Sequence, residues 1–183
     1  MPGVGSSGEG FIGYNVRGGG TGQNMMMLDE ATVYNAAHLL GFFSVFNNDA
    51  LKDVKFYKGG IPAEFGGRLS SLLDVRMKEG STQKFGVDGG IGLLSSRLTI
   101  DGPIIKDRCS FIVSGRRSYM DLFFPMFKSQ IPKDSKLFFY DMNAKVNYKV
   151  NDNNRLFLSG YFGRDVMRLA TAYLMEYGNR TVT

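Results

Sequence analysis

The stretch YKGGIPAEFGGRLSSLLDVRMKEG, residues 57–80, decides the architecture of the first half of the chain. It leaves one alternating strand, passes through four glycines and a proline, and enters a second alternating strand. Glycine tolerates positive φ and lets other backbone approach closely. The stretch contains no catalytic dyad, no metal-ligand spacing and no phosphate loop. Its glycines are therefore predicted to serve the backbone geometry, as tight turns or as places where other backbone approaches closely.

The composition excludes several classes of function. With 43% hydrophobic residues, the 183-residue chain can bury a core, as one ordinary domain or two small ones. The net charge of +5 is scattered, whereas a nucleic-acid surface shows a clustered basic stripe. The single cysteine, Cys109, cannot form an internal disulfide, and the single histidine, His38, excludes two-histidine metal motifs. We therefore predict no enzyme, no cofactor, no metal site and no nucleic-acid partner.

The glycine run RGGGTGQN, residues 17–24, resembles a phosphate cradle in composition only. It lacks the G-x-G-x-x-G spacing and any G-K-[ST]. The apolar MMMLDE that follows is typical of a strand, where a nucleotide site needs a helix N-terminus. Within the run, residues 19–24 are predicted to be a turn.

The first 80 residues are predicted to form a small mixed α/β unit. Period-two alternation or short apolar runs predict strands, and one segment with the letters AAHLLGFFSVFNNDAL favours one or two short helices. Asn47 or Asn48 is expected to cap the last turn of that segment. The predicted strands are 11–18, 25–29, 31–34, 51–59 and 70–80, and the predicted helical segment is 36–51.

The second half of the chain is predicted to form long antiparallel hairpins. The letters FYDMNAKVNYKV, residues 139–150, alternate between apolar and polar without a break. A turn at NDNN (151–154) leads to a second strand with Leu156, Leu158, Gly160 and Phe162 on one face. An earlier hairpin pairs residues 94–101 with 109–120 through a turn at 102–108, and a phase slip between Leu93 and Leu94 predicts a bulge or a tight turn.

No apolar run approaches the roughly 18 residues of a membrane helix, so a membrane interpretation must rest on strands. Strands near 12 residues, short turns at one end and a long connection at 121–137 are typical of an outer-membrane barrel. A soluble β-rich binding or adhesion module also alternates, and it remains the alternative. In that case Leu156, Leu158 and Phe162 would pack on a second sheet.

Several segments of the first half resemble the plug signature of TonB-dependent outer-membrane receptors. Residues 51–60 are similar to the family's "ERIEVLKGP", with Gly60-Ile61-Pro62 in place of Gly-Pro. Phe65-Gly66 stands where the family has Tyr-Gly, and LLDVRMK (72–78) resembles its closing strand. Upstream, Val16-Arg17-Gly18 resembles "IRG", and Leu28-Asp29-Glu30 with Val33-Tyr34 resembles "LDG.P.Y". The order and spacing agree over residues 11–80, and the later hairpins agree in character only.

The resemblance implies a fold and a function. It implies an α+β plug at residues 1–80 and the first five or so strands of a plugged 22-stranded transmembrane barrel at residues 81–183. Such receptors import a scarce ligand, such as an iron chelate (a siderophore), a vitamin or an oligosaccharide. They are energised by the TonB complex, they lie in outer-membrane lipid, and some work with a surface lipoprotein. The localisation implied is the cell outer membrane.

The resemblance also assigns residues. The plug-motif and structural positions are Arg17, Gly18, Leu28, Asp29, Gly59, Gly60, Pro62, Gly66, Gly67 and Arg68. Arg17 and Arg68 are implied partners of wall glutamates beyond residue 183. The loops around 19–24 and 35–43 are implied to face the ligand, through Gly20, Thr21, Gln23, Asn24, Asn35 and His38.

The resemblance further implies that the chain is a fragment. No export signal and no TonB box are visible, and five strands cannot close a barrel. In the implied topology, the first barrel strand begins near residue 84 on the periplasmic side and runs outward. The turns at 102–108 and 151–154 then face the periplasm, and 121–137 is an extracellular loop.

Overall fold

The computed structural model describes residues 4–6, 13–127, 135–169 and 173–182, and within them the chain forms strands and 3-10 helices, the longest of which is Met120–Phe127. We call residues 13–80 the N-terminal unit and the sheet of β9–β14 the large sheet. The strands are β1 Val4–Ser6, β2 Tyr14–Val16, β3 Asn24–Leu28, β4 Ala31–Thr32, β5 Ala37–His38, β6 Phe43–Ser44, β7 Leu51–Tyr57, β8 Ser71–Met77, β9 Gly86–Ile91, β10 Ser95–Ile105, β11 Cys109–Ser118, β12 Lys136–Lys149, β13 Arg155–Leu169 and β14 Tyr173–Val182.

The N-terminal unit is built on a four-stranded mixed sheet in the order β4-β3-β8-β7. The parallel pair β3 and β8 lies at its centre, and β4 and β7 flank it in antiparallel orientation. This mixed sheet confirms the strands predicted on either side of the glycine stretch. Its buried core includes Leu28, Val33, Val75 and Met77, and Tyr161 of the large sheet completes the same cluster.

The helices predicted at 36–51 are wrong. That segment contains the short hairpin β5–β6 and 3-10 turns at Leu39–Gly41 and Asn48–Ala50. Leu39 and Leu40 have positive φ of 48° and 60°, which no right-handed helix allows. The described residues contain no α-helix, so the α part of the α+β expectation fails. The predicted cap is confirmed at Asn47, whose side chain accepts a hydrogen bond from the Asp49 amide.

The large sheet is an antiparallel meander of six strands in the order β14-β13-β12-β11-β10-β9. The turn at 151–154 is confirmed, and the phase slip at Leu93–Leu94 is the tight β9–β10 turn. The turn expected at 102–108 is shorter, because β10 continues through Gly102 and Pro103 to Ile105. We call the edge with turns 106–108 and 150–154 the lower edge. The opposite edge, with turn 92–94 and residues 119–127 after β11, is the upper edge.

The two faces of the large sheet are inverted relative to a sheet in a soluble core. Its polar face is buried against the N-terminal unit, and its apolar face is exposed. The buried polar residues include Thr99, Ser110, Ser114, Ser118, Asp141, Asn143, Lys145, Asn147, Ser159 and Asp165, and the exposed apolar residues include Leu98, Ile100, Val113, Met142, Val146, Tyr148, Leu156 and Leu158. Among the residues described, no helix is long and apolar enough to cross a membrane.

Candidate functional site

The candidate site begins where the N-terminal unit contacts the polar face of the large sheet. His38, at the end of β5, lies between two carboxylates of the sheet. Its Nδ1 is 2.8 Å from Asp165 Oδ2, and its Nε2 is 3.1 Å from Asp141 Oδ2. The ring stacks on Phe139 at 4.2 Å, and its Nε2 is 3.0 Å from the Tyr161 hydroxyl. We call these residues, with Arg116, the His38 cluster.

The charges in the His38 cluster balance only when His38 is protonated. Asp141 also accepts hydrogen bonds from Arg116, so the cluster contains two carboxylates and one permanent cation. Burial alone lowers the pKa of His38, but the hydrogen bonds and charges of Asp141 and Asp165 outweigh it and raise that pKa above its ordinary value. A protonated His38 therefore ties the N-terminal unit to β12 and β13 through buried, charge-assisted hydrogen bonds.

The backbone that follows His38 descends along the large sheet. The Leu39 amide donates to Asp165 Oδ1 at 2.8 Å, and the carbonyl of Ser44 accepts from Arg116. The Asn47 amide group then donates to Ser114 Oγ at 2.5 Å. The segment 38–50 is held by side chains of three strands, which explains why it is not helical.

A second buried contact joins Lys145 of β12 to Asp29. Lys145 Nζ is 3.0 Å from Asp29 Oδ2, and both side chains are buried. Asp29 Oδ1 also accepts from the Met77 amide at 3.0 Å. Lys145 therefore neutralises a carboxylate that organises the β3–β4 turn and the end of β8. The cation also lies 5.0 Å from the centre of the Phe157 ring.

The chain crosses from the N-terminal unit to the large sheet at the lower edge. The Glu79 carbonyl accepts from Ser110 Oγ at 2.7 Å, and its carboxylate accepts from Asn147 at 3.1 Å. Gly80 follows with a positive φ of 76° and packs on the backbone of Phe111. The N-terminal unit thus contacts the sheet from the level of Asp141 down to this edge.

An open cleft of about 300 Å³ lies in the N-terminal unit, at the end of β3 and β8 remote from Glu79. Residues 34–37, which line it, directly precede His38 and therefore lie toward the upper edge. Its lining mixes amide, guanidinium, aromatic and thioether groups, from Thr21, Asn24, Met26, Tyr34, Asn35 and Arg68.

The predicted plug-motif residues serve architecture in different ways. Gly60 and Gly67 have positive φ, as expected, whereas Gly66 has neither a positive φ nor a close neighbour. Gly18 also has a positive φ. Arg17 lies against Gly59, and Arg68 Nη1 donates to the Gly22 carbonyl. The Pro62 carbonyl accepts from the Phe65 amide in a turn, and Leu28 is in the core. Pairing of Arg17 and Arg68 with glutamates beyond residue 183 stays a prediction.

The residues predicted to face a ligand divide into two groups. Thr21, Asn24 and Asn35 line the cleft, and Gly20 donates its amide to Gln23 beside it. Asn24 is buried, however, and bonds Tyr14 and Ser71. His38 is buried under the large sheet, so its assignment to a ligand-facing loop needs correction. Its ring nitrogens are occupied by Asp141 and Asp165.

Sequence reasoning missed the sheet residues that hold the N-terminal unit: Arg116, Asp141, Lys145 and Asp165. The alternation of β12 placed Asp141 and Lys145 on the polar face. The alternation alone did not indicate that this polar face is buried. A charged residue at every fourth position of a long alternating strand was the available signal.

Replacing Lys145 by methionine is expected to destabilise docking of the N-terminal unit by about 3–5 kcal/mol, because Asp29 would be left buried without a cation. Amide hydrogen exchange in residues 26–33 measures this loss. The control is Lys149→Met on the same strand, whose partner Asp152 is 92% exposed and whose ion pair contributes little. Equal protection in the two variants would contradict the assignment.

No family model matches the sequence, and no curated protein matches it. The fold is similar to the crystal structure of a mutant ferric enterobactin receptor, PfeA, from Pseudomonas aeruginosa, with a TM-score of 0.61, 16% identity and coverage of 91% of this chain and 29% of that chain. It is also similar to the siderophore receptor PirA from Acinetobacter baumannii, with a TM-score of 0.61, 15% identity and coverage of 91% and 28%. The chain spans less than a third of these receptors, and at this identity the likeness is one of fold.

Proposed function

We propose that this chain is part of a TonB-dependent outer-membrane receptor, with residues 1–80 as its plug and residues 81–183 as the first strands of its barrel wall. The observation that carries the proposal is the inverted large sheet. Its polar face is buried under the N-terminal unit, and its apolar face is exposed. A membrane barrel that encloses a plug needs this arrangement, because lipid covers the outer face and polar groups line the interior.

The dimensions of the sheet fit a bilayer. Tyr140 and Tyr148 both lie on the exposed face, and they are the first and last residues of a nine-residue stretch of β12. A tilted membrane strand needs about 9–11 residues. Aromatic residues flank the apolar band of such barrels at both interfaces. The short turns 106–108 and 150–154 then face the periplasm, and the connection from Tyr119 to Ser135 faces outward.

The cleft supports a ligand-binding role for the N-terminal unit. It lies toward the proposed extracellular edge and combines hydrogen-bonding groups with apolar surface, as small-molecule sites do. The ligand class is a scarce nutrient: an iron chelate, a vitamin or an oligosaccharide. Because the two solved structures named above are siderophore receptors, an iron chelate is favoured. Import would draw on the TonB complex through a segment outside this chain, and a surface lipoprotein is a further proposed partner.

The proposal predicts a two-residue period of lipid exposure along β13. A nitroxide label is placed at Leu158 or at the neighbouring Ser159, in a Cys109→Ser background of the complete protein in outer-membrane vesicles. Leu158 is 61% exposed on the apolar face and Ser159 only 4% on the polar face. The label at Leu158 should collide readily with oxygen, which partitions into lipid, and rarely with a water-soluble nickel chelate.

The label at Ser159 is the matched control and should be shielded from both reagents. Frequent collision with the nickel chelate at Leu158 would place that face in water and refute the membrane proposal. Shielding of Leu158 from both reagents would favour the alternative, a soluble module whose apolar face packs on a second sheet.

A further inference from the structure

The short hairpin β5–β6 connects the cleft to the His38 cluster. Residues 34–37 line the cleft, and His38 is the next residue along the chain. The hairpin contains only two residue pairs, Ala37 with Ser44 and His38 with Phe43. An isolated two-stranded hairpin is marginally stable at best, even when it is longer than this one. The position of β5–β6 must therefore be set by contacts outside the hairpin.

The turn that closes this hairpin is unfavourable on its own. Leu39, Leu40 and Gly41 follow one another with positive φ of 48°, 60° and 115°. In the left-handed region the Cβ of a leucine lies too close to the following carbonyl oxygen, so the conformation persists only where the surrounding structure holds it. The large sheet supplies that hold, because the Leu39 amide donates to Asp165 Oδ1 at 2.8 Å. The hairpin is therefore kept in a conformation that it would not adopt alone.

The contact between this hairpin and the large sheet depends on both ring nitrogens of His38. Side chains from three strands surround the ring. They are Arg116 on β11, Phe139 and Asp141 on β12, and Tyr161 and Asp165 on β13. A protonated imidazole donates from both nitrogens, whereas a neutral imidazole donates from only one. Loss of the proton therefore leaves either Asp141 or Asp165 buried without its hydrogen bond from His38, which is costly.

We propose that protonation of His38 controls the ligand cleft. When the ring is protonated, the hairpin is held against β12 and β13, and residues 34–37 form a fixed wall of the cleft. When the ring is neutral, the turn at 39–41 relaxes and this wall loses its fixed position. The inference rests on the proposed function, which makes the cleft a ligand site. By linkage, a ligand that needs the ordered wall binds more tightly to the protonated form, so capture is strongest at acidic pH.

The test follows the cleft wall with a nitroxide label at Tyr34→Cys, because Tyr34 lines the cleft and is 82% exposed. It uses the complete protein, purified from membranes in detergent, in a Cys109→Ser background. Burial lowers the pKa of His38, but the two carboxylates outweigh burial and keep that pKa above 6.5. The label should therefore be immobilised below pH 6.5, and its immobile spectral component should fall about twofold or more as the pH rises to about 9. In His38→Gln, which cannot be protonated, the label should be mobile at both pH values.

A label at Leu69→Cys is the matched control. Leu69 is 90% exposed and adjoins Arg68, which lines the cleft but lies outside the hairpin. The spectrum of this label should not change with pH. If the label at position 34 is equally mobile at both pH values in a protein that floats with membranes, this inference alone is overturned. The same holds if its pH response persists in His38→Gln. A protein that does not float with membranes would overturn the proposed function and this inference together.

Discussion

Replacing Gly80 by alanine is expected to destabilise the junction between the N-terminal unit and the large sheet by about 3 kcal/mol. A non-glycine residue in the left-handed region costs about 1–2 kcal/mol, and forced overpacking adds about 1–3 kcal/mol. Gly80 has a φ of 76°, and a Cβ there would lie 2.2 Å from the Phe111 carbonyl oxygen. That oxygen belongs to the backbone of β11, so the clash cannot be relieved by turning a side chain.

Cys109 offers a direct readout of this junction. It is buried, it begins β11, and it is the only cysteine of the chain. Alkylation of Cys109 across a urea series, measured on its peptide by mass spectrometry, should begin at lower urea in the Gly80→Ala protein. The control is Gly66→Ala, because Gly66 has no positive φ and no neighbour within 4 Å of an added Cβ. The expectation fails if both variants expose Cys109 at the same urea concentration.

The strands of the large sheet were predictable because their side chains alternate without interruption. In β12, Tyr140, Met142, Ala144 and Val146 occupy one face, and this period of two identifies both the strand and its sides. Turns rich in Asn and Asp were equally clear, since these side chains bond their own backbone. At 151–154, Asn151 accepts from the amides of Asn153 and Asn154.

The segment 36–51 was not predictable from local pattern, because distant residues determine it. His38 bonds Asp141 and Asp165, which are 103 and 127 positions away in the sequence. The Leu39 amide, which a helix would use internally, donates to Asp165 instead. A segment whose composition favours a helix does not form one when its backbone and polar side chains make hydrogen bonds with distant parts of the chain.

The same reasoning explains the partial prediction of the candidate site. Gly60 and Gly67 could be identified because the neighbouring residues in the sequence are enough to predict a turn glycine. Gly80 was overlooked because its constraint comes from Phe111, a distant residue in the large sheet. Alternation showed which residues of β12 are polar. It could not show that the polar face is buried, because a soluble sheet with the opposite orientation has the same pattern.

Replacing Asp165 by alanine is expected to release residues 37–44 from the large sheet. Asp165 accepts hydrogen bonds from His38 and from the Leu39 amide, both at 2.8 Å and both buried. Its loss leaves the cation of His38 with Asp141 alone, which Arg116 also uses. Breaking a buried ion pair by removing one partner costs about 3–5 kcal/mol. Hydrogen exchange in residues 37–44 should accelerate accordingly, whereas Asp152→Ala, at an exposed turn, should leave it unchanged.

The His38 cluster also makes this docking depend on pH, with a sign fixed by the raised pKa of His38. Because that pKa lies above the ordinary value of 6.5, the contribution of protonated His38 to docking of the N-terminal unit is complete below pH 6.5. This contribution is lost as the pH rises through the pKa of His38 in the docked state. A neutral His38 leaves Asp141 and Asp165 with only the cation of Arg116, so the cluster gains a net negative charge. Protection of residues 37–44, corrected for intrinsic exchange, should therefore fall as the pH rises. His38→Gln, which cannot be protonated, should show weak protection at every pH, and a pH response that survives in this variant would assign the effect to another group.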